Sequence, residues 1–153
     1  MPSKLSIALF GALLSIACRV AFAQAPAAIA TQETNWSGVT AELTEFKRKG
    51  NTLTAKLRLR NAGAAKVRPS VDLRKCYVLD ANAGKKYEVL KDDQGAYIAA
   101  LTGSSPDNYS DEIPPAQQKI FWMKFPAPPA TTRTVTLNVD GVPPFEDAPI
   151  TDQ

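Results

Sequence analysis

The chain has 153 residues, 18 Lys and Arg against 15 Asp and Glu, twelve prolines and no histidine. Without histidine, Ser-His-Asp and Cys-His catalysis are excluded within this chain, as is the commonest zinc ligand. Twelve prolines argue against a helical protein and in favour of turns and protected sheet edges.

Lys4 supplies a basic head, Leu5 to Ala17 an uncharged and mostly apolar run, and Ala21-Phe22-Ala23 small residues at the two positions a signal peptidase reads. Residues 1–23 are therefore expected to be a signal peptide, cut before Gln24, with the protein periplasmic or secreted and no transmembrane helix after cleavage. The competing possibility is lipidation at Cys18, although Leu14 lies four residues before it rather than three. Removal of Lys4 and Arg19 leaves 16 basic against 15 acidic residues, so the mature chain is near neutral although the whole chain has a pI of 8.9. About 130 residues suit one domain with one core.

Gln24 to Asn35 is rich in Ala, Gln and Thr and reads as a flexible leader, residues 24–35, ahead of a domain over 36–150. Val39, Ala41 and Leu43 alternate with polar residues, Arg48-Lys49-Gly50-Asn51 offers a turn, and Leu53, Ala55, Leu57 and Leu59 alternate again, which predicts a hairpin with one wet face. Antiparallel pairing sets Glu42 near Lys56 and Arg58. Val71 to Asp80 is the next expected strand, with a bulge near Arg74 and Lys75 turning Cys76 and Val78 inward. Lys85 to Leu90 and Ala96 to Leu101 follow, separated by the turn Asp92-Asp93-Gln94-Gly95. Thr102 to Glu112 has no periodicity and reads as a long loop.

Lys119 to Phe125 packs large apolar side chains against a proline-rich corner and is expected to be the central strand. Both its faces are apolar, with Ile120 and Trp122 opposite Phe121, Met123 and Phe125. Either the leader or the tail covers the second face, or it is a partner surface. Thr134 to Val139 completes about seven strands, and Pro143-Pro144-Phe145 should end the sheet with Ile150 tucked onto it. Together these predict an all-β, antiparallel, two-sheet sandwich.

Ile113-Pro114-Pro115, Phe121 to Pro129 and Pro143-Pro144-Phe145-Glu146-Asp147 resemble a group of small exported bacterial domains with an immunoglobulin-like, telokin-like sandwich. The resemblance implies an immunoglobulin-like fold over roughly residues 36–150. It implies a non-enzymatic binding or envelope-associated role and supplies no catalytic residue.

Charge placement gives the candidate sites. Residues 47–91 hold 13 Lys or Arg and three acidic residues, whereas 92–153 hold three basic and nine acidic. The two halves either attract each other within one sandwich or present a face to an anionic partner. The densest basic group is Lys47, Arg48, Lys49, Lys56, Arg58 and Arg60, whose natural exported partner is an anionic envelope polymer or an envelope protein. No nucleic-acid-binding motif accompanies it, so no nucleic acid is expected. Asp107, Asn108, Tyr109, Asp111 and Glu112 form a candidate partner loop.

That loop and the Asp92-Asp93 turn either bind calcium or are solvated acidic loops, and neither matches an EF-hand spacing. No resident metal or cofactor is expected. Once the signal is removed Cys76 is the sole thiol, which is either buried and inert or forms an intermolecular bridge. The leading expectation is an exported binding module. Its alternatives are an assembly subunit pairing through Cys76 or a sheet edge, and an inhibitor acting through residues 102–112.

Overall fold

The computed structural model describes residues 26–100 and 105–153; the expected signal peptide over residues 1–23, Cys18 within it, and residues 101–104 lie outside the described residues. The described chain is all-β, with strands β1 (Ala30–Glu33), β2 (Val39–Lys49), β3 (Thr52–Asn61), β4 (Ser70–Asp72), β5 (Tyr77–Asp80), β6 (Lys85–Glu88), β7 (Asn108–Ser110), β8 (Gln118–Pro126), β9 (Thr134–Val139), β10 (Val142–Pro149) and β11 (Thr151–Asp152). One sheet has the order β1-β2-β3-β8, with β11 added parallel to β2, and the other the order β10-β9-β5-β6. β4 and β7 form a small third ladder. The two large sheets share a single apolar core containing Leu43, Phe46, Leu57, Val78, Phe121, Phe125, Leu137 and Phe145, an arrangement consistent with a β-sandwich.

The first hairpin forms as its alternation predicts, but its parity changes midway. The register shifts between Leu43 and Glu45, so Thr44 is an extra residue in β2. Thr44 donates through its hydroxyl to the Lys56 carbonyl at 3.1 Å. A one-residue insertion exchanges the two faces of everything that follows. Phe46 and Arg48 thus turn inward, while Glu45 and Lys47 stay outside. The turn shortens to Gly50-Asn51 between the paired Lys49 and Thr52.

Arg48, expected in the turn and in the basic group, therefore lies in β2 and closes one end of the core, 5 % exposed. Its guanidinium donates to the carbonyls of Pro129 (2.6 Å), Pro128 (3.2 Å), Thr132 (3.2 Å) and Ala130 (3.3 Å), and to the Asp152 carboxylate (2.6 Å). The proline corner offers carbonyls with few amides to match, and arginine's five donors satisfy them.

Several other expectations are corrected. Val71 to Asp80 is broken by a 3₁₀ turn at Leu73–Lys75 rather than bulged, and the turn still delivers Cys76 and Val78 to the core. Lys119 to Phe125 is not central: its strand β8 ends the β1-β2-β3-β8 ladder, and β2 and β3 lie inside it. Ala96 to Ala100 is no regular strand. Ile98 and Ala100 instead run along the outer side of β8, exchanging backbone bonds with Trp122 and Lys124, while Leu90 leaves β6 to donate to the Lys124 carbonyl. The sheet also begins inside the supposed leader, because Ala30–Glu33 pairs with β2.

Pro143-Pro144-Phe145 does not end the sheet. The chain reverses at Asp140-Gly141 so that Val142 pairs with Val139, and β10 then runs to Pro149 through two register shifts. Those shifts take Pro143 and Pro144 out of the ladder and leave Pro149 paired with Thr134, while Phe145 and Ala148 face the core and Ile150 is buried beyond them. Gly141 has φ +81° and lies under Trp36, where an added Cβ would fall 2.5 Å from the indole.

Replacing Arg48 by Met should lower the unfolding free energy by about 2–4 kcal/mol, because buried carbonyls lose their donors. Denaturant titration checks this, and Arg48→Lys should recover only part of the loss.

Candidate binding surfaces

The outer face of the first sheet carries the predicted basic stripe as a ladder of ion pairs. Arg58 is paired directly opposite Glu42 and donates to it through both Nε and Nη2, with Arg60 3.5 Å from the same carboxylate. Lys56 and Lys47 share Glu45 at 3.2 and 3.4 Å. Glu42 therefore does not serve Lys56, as the unbroken alternation implied: the Thr44 bulge hands that lysine to Glu45. Partial burial pushes the Glu45 carboxyl up, but the hydrogen bond and charge of Lys56, with the charge of Lys47, outweigh it and hold the group below its usual value. Each carboxylate faces two cations, so the stripe keeps a net positive charge.

Of the six predicted basic residues, the structure gathers Lys47, Lys56, Arg58 and Arg60 on this face, with Arg58 buried among its neighbours. Arg48 is diverted to the core, and Lys49 is exposed at the hairpin end. Beside the cations, on β8, lie Ile120, opposite Arg58 and 48 % exposed, and the half-buried Trp122, opposite Lys56. This apolar strip was legible in the sequence. Its neighbours Ile98 and Ala100 were not, because they reach it through isolated contacts along the β8 edge.

The acidic loop residues are dispersed into structural roles. Tyr109 is buried and packs on Phe121, with ring centroids 4.6 Å apart and planes at 39°. Asn108 accepts from the Ser70 hydroxyl, Asp111 pairs with Lys119 at 3.1 Å, and Glu112 lies 3.3 Å from Lys66 and 3.7 Å from Arg68. The Asp107 carbonyl accepts from Leu73. Asp92 likewise caps the amides of Gln94 and Ala96. Among the described residues no three Asp, Glu, His or Cys side chains converge as a metal-ion site.

Pairs such as Lys66 with Glu112, Lys75 with Asp140 and Arg48 with Asp152 join the basic half of the chain to the acidic half. Cys76 is 1 % exposed, and burial pushes its thiol up to about 12. Asp80 is buried as well. Its carboxylate accepts from the Ala83 and Asn82 amides and the Thr132 hydroxyl, which together hold it below its usual value.

A second basic region was missed. Lys85, Lys86 and Lys91 each sit over a tyrosine ring, Tyr87, Tyr77 and Tyr97, at 5.0, 4.6 and 4.4 Å from the centroids. The signal available was Lys-Lys-Tyr at 85–87, since alternate residues of a strand share a face. Among the described residues, no helix is long and apolar enough to cross a membrane. No family model, no curated protein and no solved structure matches the chain.

The native thiol should resist Ellman's reagent and be labelled only on unfolding, with no disulfide dimer on non-reducing gels. Depressed carboxyl values at Asp80 and Glu45 mean that the unfolded chain binds more protons in acid. Their contribution is complete above the usual values of 3.8 and 4.5 and is lost as pH falls through the lower folded values. Asp80→Asn should flatten that acid limb in denaturant titrations across pH and should cost about 1–3 kcal/mol at neutral pH.

Proposed function

We propose that this protein is an exported, non-enzymatic immunoglobulin-like module that binds a macromolecular partner of the cell envelope, with an anionic envelope polymer against the outer face of the first sheet. The observation that carries this reading is the two-to-one excess of cations over carboxylates on that face, next to Ile120 and Trp122. A sheet face with a net positive ladder and an apolar strip suits a long, repeating anionic chain, which needs many weak contacts rather than a deep pocket.

Export rests on the signal pattern of residues 1–23, and the immunoglobulin-like assignment on the resemblance above. Binding rather than turnover is supported by the state of the reactive groups. The thiol is buried and protonated, and the buried carboxylate of Asp80 has its oxygens occupied by three donors.

The test is co-sedimentation of the processed protein with cell-wall sacculi and with outer-membrane vesicles at low and high salt. Retention should fall as salt rises, because exposed charge attraction is screened. Lys56→Glu with Arg60→Glu should weaken it by about tenfold, while Arg58 is left to support the fold. Absence of retention at any salt, or reproducible turnover of a substrate, would overturn the reading.

A further inference from the structure

The sheet edges are not treated alike. Along β8 the outer edge is occupied by Leu90, Ile98 and Ala100, whose backbones bond to Trp122 and Lys124. On β2 the outer edge is occupied by β1 and β11. The β10 edge carries Pro143, Pro144 and Pro149, which have no N–H, and the Gln32 side chain donates to the Pro144 carbonyl at 2.8 Å. Only β6 differs. Its inner side pairs with β5 over four residues, and among the described residues no backbone hydrogen bond crosses its outer side.

That open side lies against a groove of about 640 Å³, lined from Lys85 to Lys91 and closed opposite by Pro126 and Ala127. Val89 is buried in its wall, and Lys85, Lys86 and Lys91 stand along it with a single carboxylate, Glu88, which is paired to Lys86 at 3.2 Å. We infer that the outer edge of β6 takes an extended, acidic segment of a partner protein as an added strand, with main-chain bonds to residues 85–88 and carboxylates set against Lys85 and Lys91. Four residues offer about 13 Å of ladder, enough to align a short segment. Lysines on an edge repel a second copy of the same strand and leave it open to one of opposite charge. This site is separate from the outer face assigned to an envelope polymer and does not depend on it.

The probe is a short synthetic peptide alternating glutamate and valine, titrated into the isotope-labelled protein while backbone amide shifts are followed by NMR. Shifts should concentrate at 85–91 and 126–127, and the amides of 85–88 should gain exchange protection. Lys85→Glu with Lys91→Glu, both at exposed positions, should weaken binding by about tenfold or more.

Two further peptides carry N-methyl groups on odd or on even positions, and only one of them should lose binding, because alternate residues of a strand face its neighbour. Equal loss or equal retention with both methylated peptides would overturn the proposal. So would shifts confined to the first sheet, no binding, or equal binding of a polyglucuronate chain at β6. None of those results would alter retention by sacculi, which reports on the other face.

Discussion

The insertion of Thr44 into β2 is the constraint on which most of the architecture depends. Strand side chains alternate with a period of two, so one extra residue reverses the inside and outside of all that follows. Here that reversal puts Phe46 in the core and carries Arg48 with it. A buried guanidinium needs acceptors, and a proline-rich corner has carbonyls to spare, so each solves the other's deficit. The same guanidinium holds Asp152, and the Arg48 carbonyl accepts from Gln153, which brings the C-terminal strand alongside β2. Thr44 thereby links the first hairpin, the corner after β8 and the end of the chain.

The bulge also decides the electrostatics of the outer face. By presenting Glu45 outward beside Lys47 and opposite Lys56, it divides five charges of the stripe and a sixth, Glu42, into two clusters of two cations and one carboxylate. The pairs made by Lys47, Lys56 and Arg60 are solvent-exposed and add little stability, whereas Arg58 and Glu42 are largely buried, and the consequence is a patterned surface of modest positive charge. The core is held by apolar burial. Three buried polar side chains, Arg48, Asp80 and Asn61, bond to nearby loops, whereas the hydroxyls of Tyr87 and Tyr109 are buried without a hydrogen-bond partner among the described residues. Asn61 donates to the carbonyls of Ala65 and Ile113 and accepts from the Gly63 amide, fixing the loop after β3 against the entry to β8.

Edge protection gives the surface a direction. Prolines and a side-chain amide protect the margin at β10 and a strand-like return loop covers that at β8, while the margin at β6 is short, lysine-rich and open. The sandwich thus offers one broad face suited to charge and contact and one narrow edge suited to main-chain pairing. They are built from different residues and on different sheets.

By itself, the sequence determined the all-β class, the first hairpin, the inward set Leu53, Ala55, Leu57 and Leu59 and the two apolar faces of β8, because period-two alternation is a local property of neighbouring residues. Tertiary structure alone decided the rest. The position of Arg48 required knowing that Phe46 would claim the core, and the strand role of Val142 to Pro149 required register shifts that move Pro143 and Pro144 out of the ladder. The partners of Glu112 and Asp140 come from segments far away in the chain. The openness of β6 depends on where Ala96 to Ala100 comes to rest, which is settled by competition among backbone groups for partners and leaves no mark in the local pattern.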